Sequence, residues 1–124
     1  MKRILVALLL CVACSSNDTG APTAGALTLQ FAGASGSDGG VLVIVSGGPV
    51  TSVDAPAGYE IATNADGEGT HIMVVGALAS GTIATINVPD VSLASSYVAT
   101  VVQVSDRASY ALLDPVRYKV TVGK

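Results

Sequence analysis

The chain has 124 residues, half of them hydrophobic, and a formal net charge of −3. That length allows one small domain, and the placement of charge argues against nucleic-acid binding, because no Lys or Arg occurs between Ser15 and Asp106 to neutralise phosphates. Val, Ala, Gly and Thr dominate while Glu, Lys, Gln and Arg are scarce, a mix that suits pleated sheets joined by tight turns.

The first element in the chain is a leader. Lys2 and Arg3 precede an unbroken apolar run over residues 4–10, followed by Cys11, Val12, Ala13, Cys14 and two serines. The pattern reads as a cleaved secretory signal. Its apolar run is too short to span a bilayer, which takes about 20 residues. The order of apolar core, small Ala13 and then Cys14 resembles a bacterial lipoprotein signal. The resemblance implies cleavage behind Ala13 and lipidation of Cys14. Ser15 follows where an Asp would imply inner-membrane retention, so the expected location is the outer membrane of the cell envelope. Several acyl chains, each CH₂ contributing about 0.8 kcal/mol on burial, would hold the protein to its bilayer. An ordinary signal peptide with an incidental cysteine is the alternative.

Removal of residues 1–13 leaves nine acids against four bases, a net charge of −5, and Cys14 as the single cysteine. With that cysteine acylated no disulfide forms, so the hydrophobic core must carry the fold alone. Residues 14–25 are small, polar and Pro/Gly-containing, and are expected to be a flexible tether. The Asn17-Asp18-Thr19 glycosylation pattern is incidental in a bacterial lipoprotein context.

Short apolar runs then alternate with turn clusters. Residues 27–31 (LTLQF) place Leu27, Leu29 and Phe31 on one face and Thr28 and Gln30 on the other, which predicts a half-buried strand. The stretch 33–40 (GASGSDGG) reads as a loop. Residues 41–45 (VLVIV) are continuously apolar, the mark of a central strand, and Gly47-Gly48-Pro49 ends it. Residues 50–54 give a short strand. Residues 59–63 give another, with Tyr59 and Ile61 on one face. The segment 64–69 (NADGEG) is rich in residues that tolerate positive φ and reads as a turn. Residues 70–75 and 82–88 are further strands, the second with Ala84, Ile86 and Val88 on one face. Residues 97–104 form a long Val-rich strand. The segment 106–115 (DRASYALLDP) allows a single helical turn capped by Asp106 and ended by Pro115, or a hairpin arm with residues 111–113 paired. Tyr118, Val120 and Val122 alternate with Lys119, Thr121 and Gly123 in a closing strand. About eight or nine strands at near-regular spacing predict an all-β domain over residues 26–124, a single antiparallel β-sandwich of jelly-roll or Ig-like type.

From Val41 onward the order of features is similar to cohesin-type and related carbohydrate-binding β-sandwiches. VLVIV is followed by a short VTSV strand, THIMVVGALASGTIATINVP joins two strands through a Gly-rich turn, and YVATVVQV and YKVTV close the chain. The likeness covers residues 27–122 and is one of pattern. It implies a sandwich used for docking or glycan contact, and it carries over no binding residue.

Chemical motifs are sparse. The one histidine, His71, falls in a predicted strand, and no serine sits in a G-x-S-x-G turn, so a half-exposed strand histidine is the expectation rather than a catalytic base. His71 without a free cysteine cannot make an ordinary zinc site. Asn64, Asp66 and Glu68 are spaced like alternate calcium ligands, yet the twelfth position counted from Asn64 is Val75 where an EF-hand needs Glu, so a hairpin turn is preferred. Asp54 and Glu60 could meet as a glycosidase pair only if the fold brought them together. The Gly39-Gly40 and Gly47-Gly48 pairs lack the Lys and Ser/Thr of a phosphate loop. There is no Trp, and Tyr110 is the best candidate for an exposed aromatic contact. The expectation is therefore a non-enzymatic module without a cofactor, anchored to the membrane and contacting an unknown protein or polysaccharide. The alternative is a calcium-assisted carbohydrate-binding module.

Overall fold

Period-two burial resolves into two antiparallel sheets stacked face to face. The structure is a computed structural model that describes residues 21–124. The signal segment, Cys14 and the first part of the tether lie outside the described residues. In chain order the strands are β1 (Gly25–Ala32), β2 (Asp38–Ser46), β3 (Ser52–Asp54), β4 (Glu60–Asp66), β5 (Gly69–Val75), β6 (Gly81–Val88), β7 (Val98–Asp106), β8 (Leu112–Leu113) and β9 (Lys119–Gly123). One sheet has the order β3-β6-β1-β9 and the other β4-β5-β2-β7-β8. The two sheets do not close into a barrel. The architecture is the β-sandwich that strand spacing predicts.

Each sheet turns one face inward. Leu27, Leu29 and Phe31 of β1 meet Val41, Val43 and Val45 of β2, with Ile72 and Val74 of β5 and Ile86 and Val88 of β6, all buried. Among the described residues, the buried apolar ones lie between Leu27 and Val120. The run at 41–45 does become a central strand, paired on one side with β5 and on the other with β7.

Three register shifts depart from strict alternation, one of them at Gly39, where Asp38 pairs with Asp106 but Gly40 with Ser105. Leu29 pairs with Ala84 but Gln30 with Thr82, so Ile83 is the extra residue, and Ile83 and Ala84 are both buried. Leu42 pairs with Gln103 but Val43 with Val101, which turns Val102 outward. The loop after β1 is shorter than GASGSDGG suggests, because β2 starts at Asp38. Asp38 is fully buried, and its carboxylate is satisfied at the sandwich end. Tyr118 donates its hydroxyl to Oδ1 at 2.7 Å, Ser35 Oγ donates to Oδ1 at 3.0 Å, and the Ser35 N–H donates to Oδ2 at 2.7 Å. Burial, and then the bond to Asp38, push the Tyr118 hydroxyl above its usual pKa. Its ring stacks on Phe31 with centroids 5.6 Å apart.

The turn expected over 64–69 is also tighter. Asn64, Ala65 and Asp66 continue β4, Asp66 pairs with Gly69, and Gly67 and Glu68 alone make the bend. In the ambiguous segment the hairpin arm forms: Leu113 and Leu112 pair with Val104 and Ser105. Asp106 still caps, but it caps the turn, and Pro115 opens a short 3-10 helix (Pro115–Arg117) instead of ending a helix. A second 3-10 helix, Val91–Ser96, is capped by Asp90, whose carboxylate accepts from the Ser92 N–H and hydroxyl. Its end abuts Gly47, whose φ of 103° and closeness to the Ser96 carbonyl leave no space for a side chain.

Candidate functional site

The outward face of the five-stranded sheet carries the site. Register sets its rows. Glu60, Val75, Gly40 and Ser105 lie side by side across β4, β5, β2 and β7; Ala62, Met73, Leu42 and Gln103 form the next row; Asn64, His71, Ile44 and Thr100 the third. The run VLVIV thus sends Val41, Val43 and Val45 to the core and Leu42 and Ile44 to the outside. The neighbouring outward residues of β5 are also apolar, with Met73 36% and Val75 48% exposed.

Gly40 leaves the first row without a side chain at its centre. A Cβ there would sit 3.0 Å from Ser105 Oγ, so a side chain would fill the space above the sheet and press the serine hydroxyl aside by a few tenths of an ångström. The missing side chain opens a groove of about 470 Å³ across the sheet. Met73, Val75 and Ala77 line it from β5 and the segment that follows; Ser105, Asp106, Arg107 and Tyr110 line it from β7 and its turn. Its size and apolar lining with a few polar groups match small-ligand sites, which fall in the range of about 300–1,000 Å³. Met73 also borders a shallower hollow of about 180 Å³ with Leu42, Ala62, Asn64 and His71.

The β7–β8 turn builds this second side. The Asp106 carboxylate accepts from the Ala108 N–H at 3.0 Å, the Ser109 N–H at 2.8 Å and the Ser109 hydroxyl at 3.0 Å. The Ser109 N–H, then the Ser37 and Ser109 hydroxyls, hold the Asp106 carboxyl below its usual range. The turn delivers Tyr110 at φ 61°, the one non-glycine residue with positive φ among the described residues, and leaves it 80% exposed. A bulky residue held in the left-handed region is a strained arrangement of the kind that gathers at ligand clamps. The other three tyrosines are structural. Tyr97 donates to Pro49 O at 2.7 Å, Tyr59 accepts from the Ala79 N–H at 3.1 Å, and Tyr118 is bound to Asp38.

The β4–β5 tip gathers Asp66, Glu68 and His71, with one ligand-type atom of each within 4.8 Å of the others. His71 Nε2 lies 3.0 Å from Asp66 Oδ2 and 3.6 Å from Glu68 Oε1. The nearer contact lacks hydrogen-bond direction, so Nε2 is enclosed and has no hydrogen bond. Asp66 also closes the turn by accepting the Glu68 N–H at 2.7 Å, and that bond is the main reason its carboxyl lies below the usual range, with the His71 contact adding to it. Of the candidate calcium ligands, Asp66 and Glu68 come together, while Asn64 is the cross-strand neighbour of His71. His71 replaces Asn64 as the third member of the group. Nε2 of His71 thus faces two carboxylates.

Asp54 and Glu60 sit in different sheets, and Asp54 accepts from Asn87 Nδ2 at 2.9 Å. Cys14 lies outside the described residues. The sequence pattern did not reveal the groove; the available signal was Gly39-Gly40 directly before VLVIV, which reads as loop. No family model, no curated protein and no solved structure matches the chain.

Proposed function

We propose that the protein is an envelope lipoprotein whose β-sandwich is a non-enzymatic binding module, docking through the groove on its five-stranded sheet. The observation that carries this reading is the apolar outward face at Gly40, walled by Met73 and Val75 and overhung by an exposed Tyr110. An antiparallel sheet with one face in the core has a polar outer face when that face meets only water. Contiguous exposed apolar surface marks interaction sites. The leader that places Cys14 behind Ala13 supports attachment to the envelope membrane. The cohesin-like order of strands supports docking as the mode of action.

Immobilised residues 21–124 are expected to retain envelope components that Met73→Glu releases and that Gln30→Glu, on the opposite outer face, does not. Retention unaffected by Met73→Glu, or lost equally in both variants, would overturn the reading. The anchor has its own test. The mature N-terminus should carry acyl chains on Cys14 by mass spectrometry, and an unacylated, freely diffusing product would remove it.

A calcium-assisted carbohydrate-binding module is the second reading, favoured by the convergence of Asp66 and Glu68 at the β4–β5 tip. It requires calcium to raise the melting temperature and Asp66→Ala to abolish the rise. An unchanged melting temperature with calcium ends it.

A further inference from the structure

We infer that the free edge of β4 takes up an extended peptide segment with a basic residue at each end, which adds a sixth strand to the five-stranded sheet. The site is separate from the groove over Gly40 and does not rest on it.

The backbone of β4 is half used. It pairs with β5 and with no other strand, in unbroken register from Glu60 opposite Val75 to Asp66 opposite Gly69. Bonding alternates along an antiparallel ladder, and Asp66 and Gly69 close a two-residue turn. Glu60, Ala62, Asn64 and Asp66 therefore bond to β5, while Ile61, Thr63 and Ala65 turn their N–H and C=O groups to the open side. Among the described residues no loop backbone bonds to these groups. Such a row is a template for one more strand. The other sheet edges offer less: β3 has three residues, β8 has two, and β9 lies against β7. The devices that commonly close an edge, a Lys, a Pro or a bulge, are all missing from β4.

Charge selects the occupant. Exposed Glu60 stands at one end of β4, with exposed Asp66 and Glu68 at the other, about 20 Å away by strand rise. Asp54 of β3 is a further exposed acid, and no Lys or Arg occurs between Ser15 and Asp106. The group on β4 or β5 that can turn positive is His71, which lies against Asp66 and Glu68 at the tip end alone. A second β4 would bring acid against acid, so the edge rejects its own copy and admits a strand with Lys or Arg six residues apart.

Side-chain space sets the middle of that strand. The hollow of about 180 Å³ on the outer face is lined by Ala62 and Asn64 of β4 together with Leu42, His71 and Met73. Ala62 is short, so an outward aliphatic side chain of the added strand, standing beside it in the same row, lies over the hollow.

The probe is the end-blocked peptide Lys-Thr-Val-Thr-Val-Thr-Lys. It is titrated by calorimetry, at low salt and neutral pH, into the full chain as produced in cells and extracted in detergent. Two counterparts are run beside it: the same sequence with Glu in place of both Lys, and the Lys peptide with its three Thr amides N-methylated, the amides that would donate to β4. The Lys peptide is expected to bind one to one and at least about tenfold more tightly than the Glu peptide. N-methylation should abolish binding, a result that depends on no variant of the protein. Glu60→Gln should weaken the Lys peptide about threefold, and Thr121→Lys, an equal change of net charge on β9, should leave it within about twofold. No binding of the Lys peptide, equal binding of the Glu peptide, binding that survives N-methylation, or equal effects of Glu60→Gln and Thr121→Lys would overturn the inference.

Discussion

The two outer faces of this sandwich are built on opposite terms. On the four-stranded sheet the outward residues include Thr28, Gln30, Thr82, Thr85 and Asn87, and all of these but Thr85 make side-chain hydrogen bonds. Gln30 Nε2 donates to Thr82 Oγ1 at 2.5 Å, and Asn87 Nδ2 donates to Ser52 Oγ and Asp54 Oδ2 at 2.9 Å each. That face is finished, with its polar groups paired across strands or open to water. On the five-stranded sheet the outward positions include an apolar group, Leu42, Ile44, Met73, Val75 and, at the bulge, Val102, bordered by the polar Glu60, Asn64, His71, Thr100 and Gln103. Both sheets contribute to one core, so the core cannot explain the difference. A second apolar surface on one side only is what a docking partner or ligand requires.

Breaking the comparison begins inside the five-stranded sheet, with adjacent residues of β5. Ile72→Ala, facing the core, should cost about 2–5 kcal/mol in urea unfolding. Met73→Ser, one residue on and facing out, should stay within about 0.5 kcal/mol, as exposed substitutions do. Similar losses at both positions would mean that the outer face is part of the core and has no spare surface.

Next in size is Asp38→Ala at the sandwich end. It strips the acceptor from the Tyr118 hydroxyl and from the Ser35 N–H. The buried Tyr118 hydroxyl is orphaned at a cost of about 1–3 kcal/mol, while the N–H of the exposed Ser35 can turn to water, so a loss of about 1–3 kcal/mol is expected from thermal unfolding. A neutral result would show that water satisfies both donors and that the end of the sandwich is open.

Tyr110→Gly sharpens the contrast in the other direction. It relieves a left-handed conformation that costs a non-glycine residue about 1–2 kcal/mol, partly offset by the larger chain entropy glycine loses. Stability should hold or rise by up to about 1 kcal/mol while ligand affinity falls. A clear loss of stability would make Tyr110 a packing residue instead of a groove residue.

Acid is the mildest probe. Hydrogen bonds hold the carboxyls of Asp66, Asp90 and Asp106 below the ordinary value of 3.8. The unfolded chain therefore takes up protons first as pH falls, and the stability these groups contribute is present above about pH 4 and lost below it. Melting temperature should be flat from pH 7 to 5 and fall below 4, with Asp106→Asn shallower than the parent. A parent curve that rises on acidification would contradict the sign.

Much of the fold was legible because period-two alternation is local. Leu27, Leu29 and Phe31 declare their face within five residues, and VLVIV declares a central strand. The bulges at Ile83 and Val102 were not legible, since Ile83 is displaced by its register against β1 and Val102 by its register against β2. Asp38 read as a loop acid because its hydroxyl donor, Tyr118, lies 80 residues away. The exposure of Tyr110 was legible from its position in an ambiguous loop. The groove beside it was not, because it exists only where Gly40 is placed between Val75 and Ser105 by strands from three parts of the chain.

The most direct measurement is site-specific photo-crosslinking in intact cells, with the reactive group placed at Met73 in one strain and at Gln30 in another. Discrete adducts from Met73 and none from Gln30 are expected if the apolar outer face is the docking surface. Adducts in equal yield from both positions, or from Gln30 alone, would contradict it.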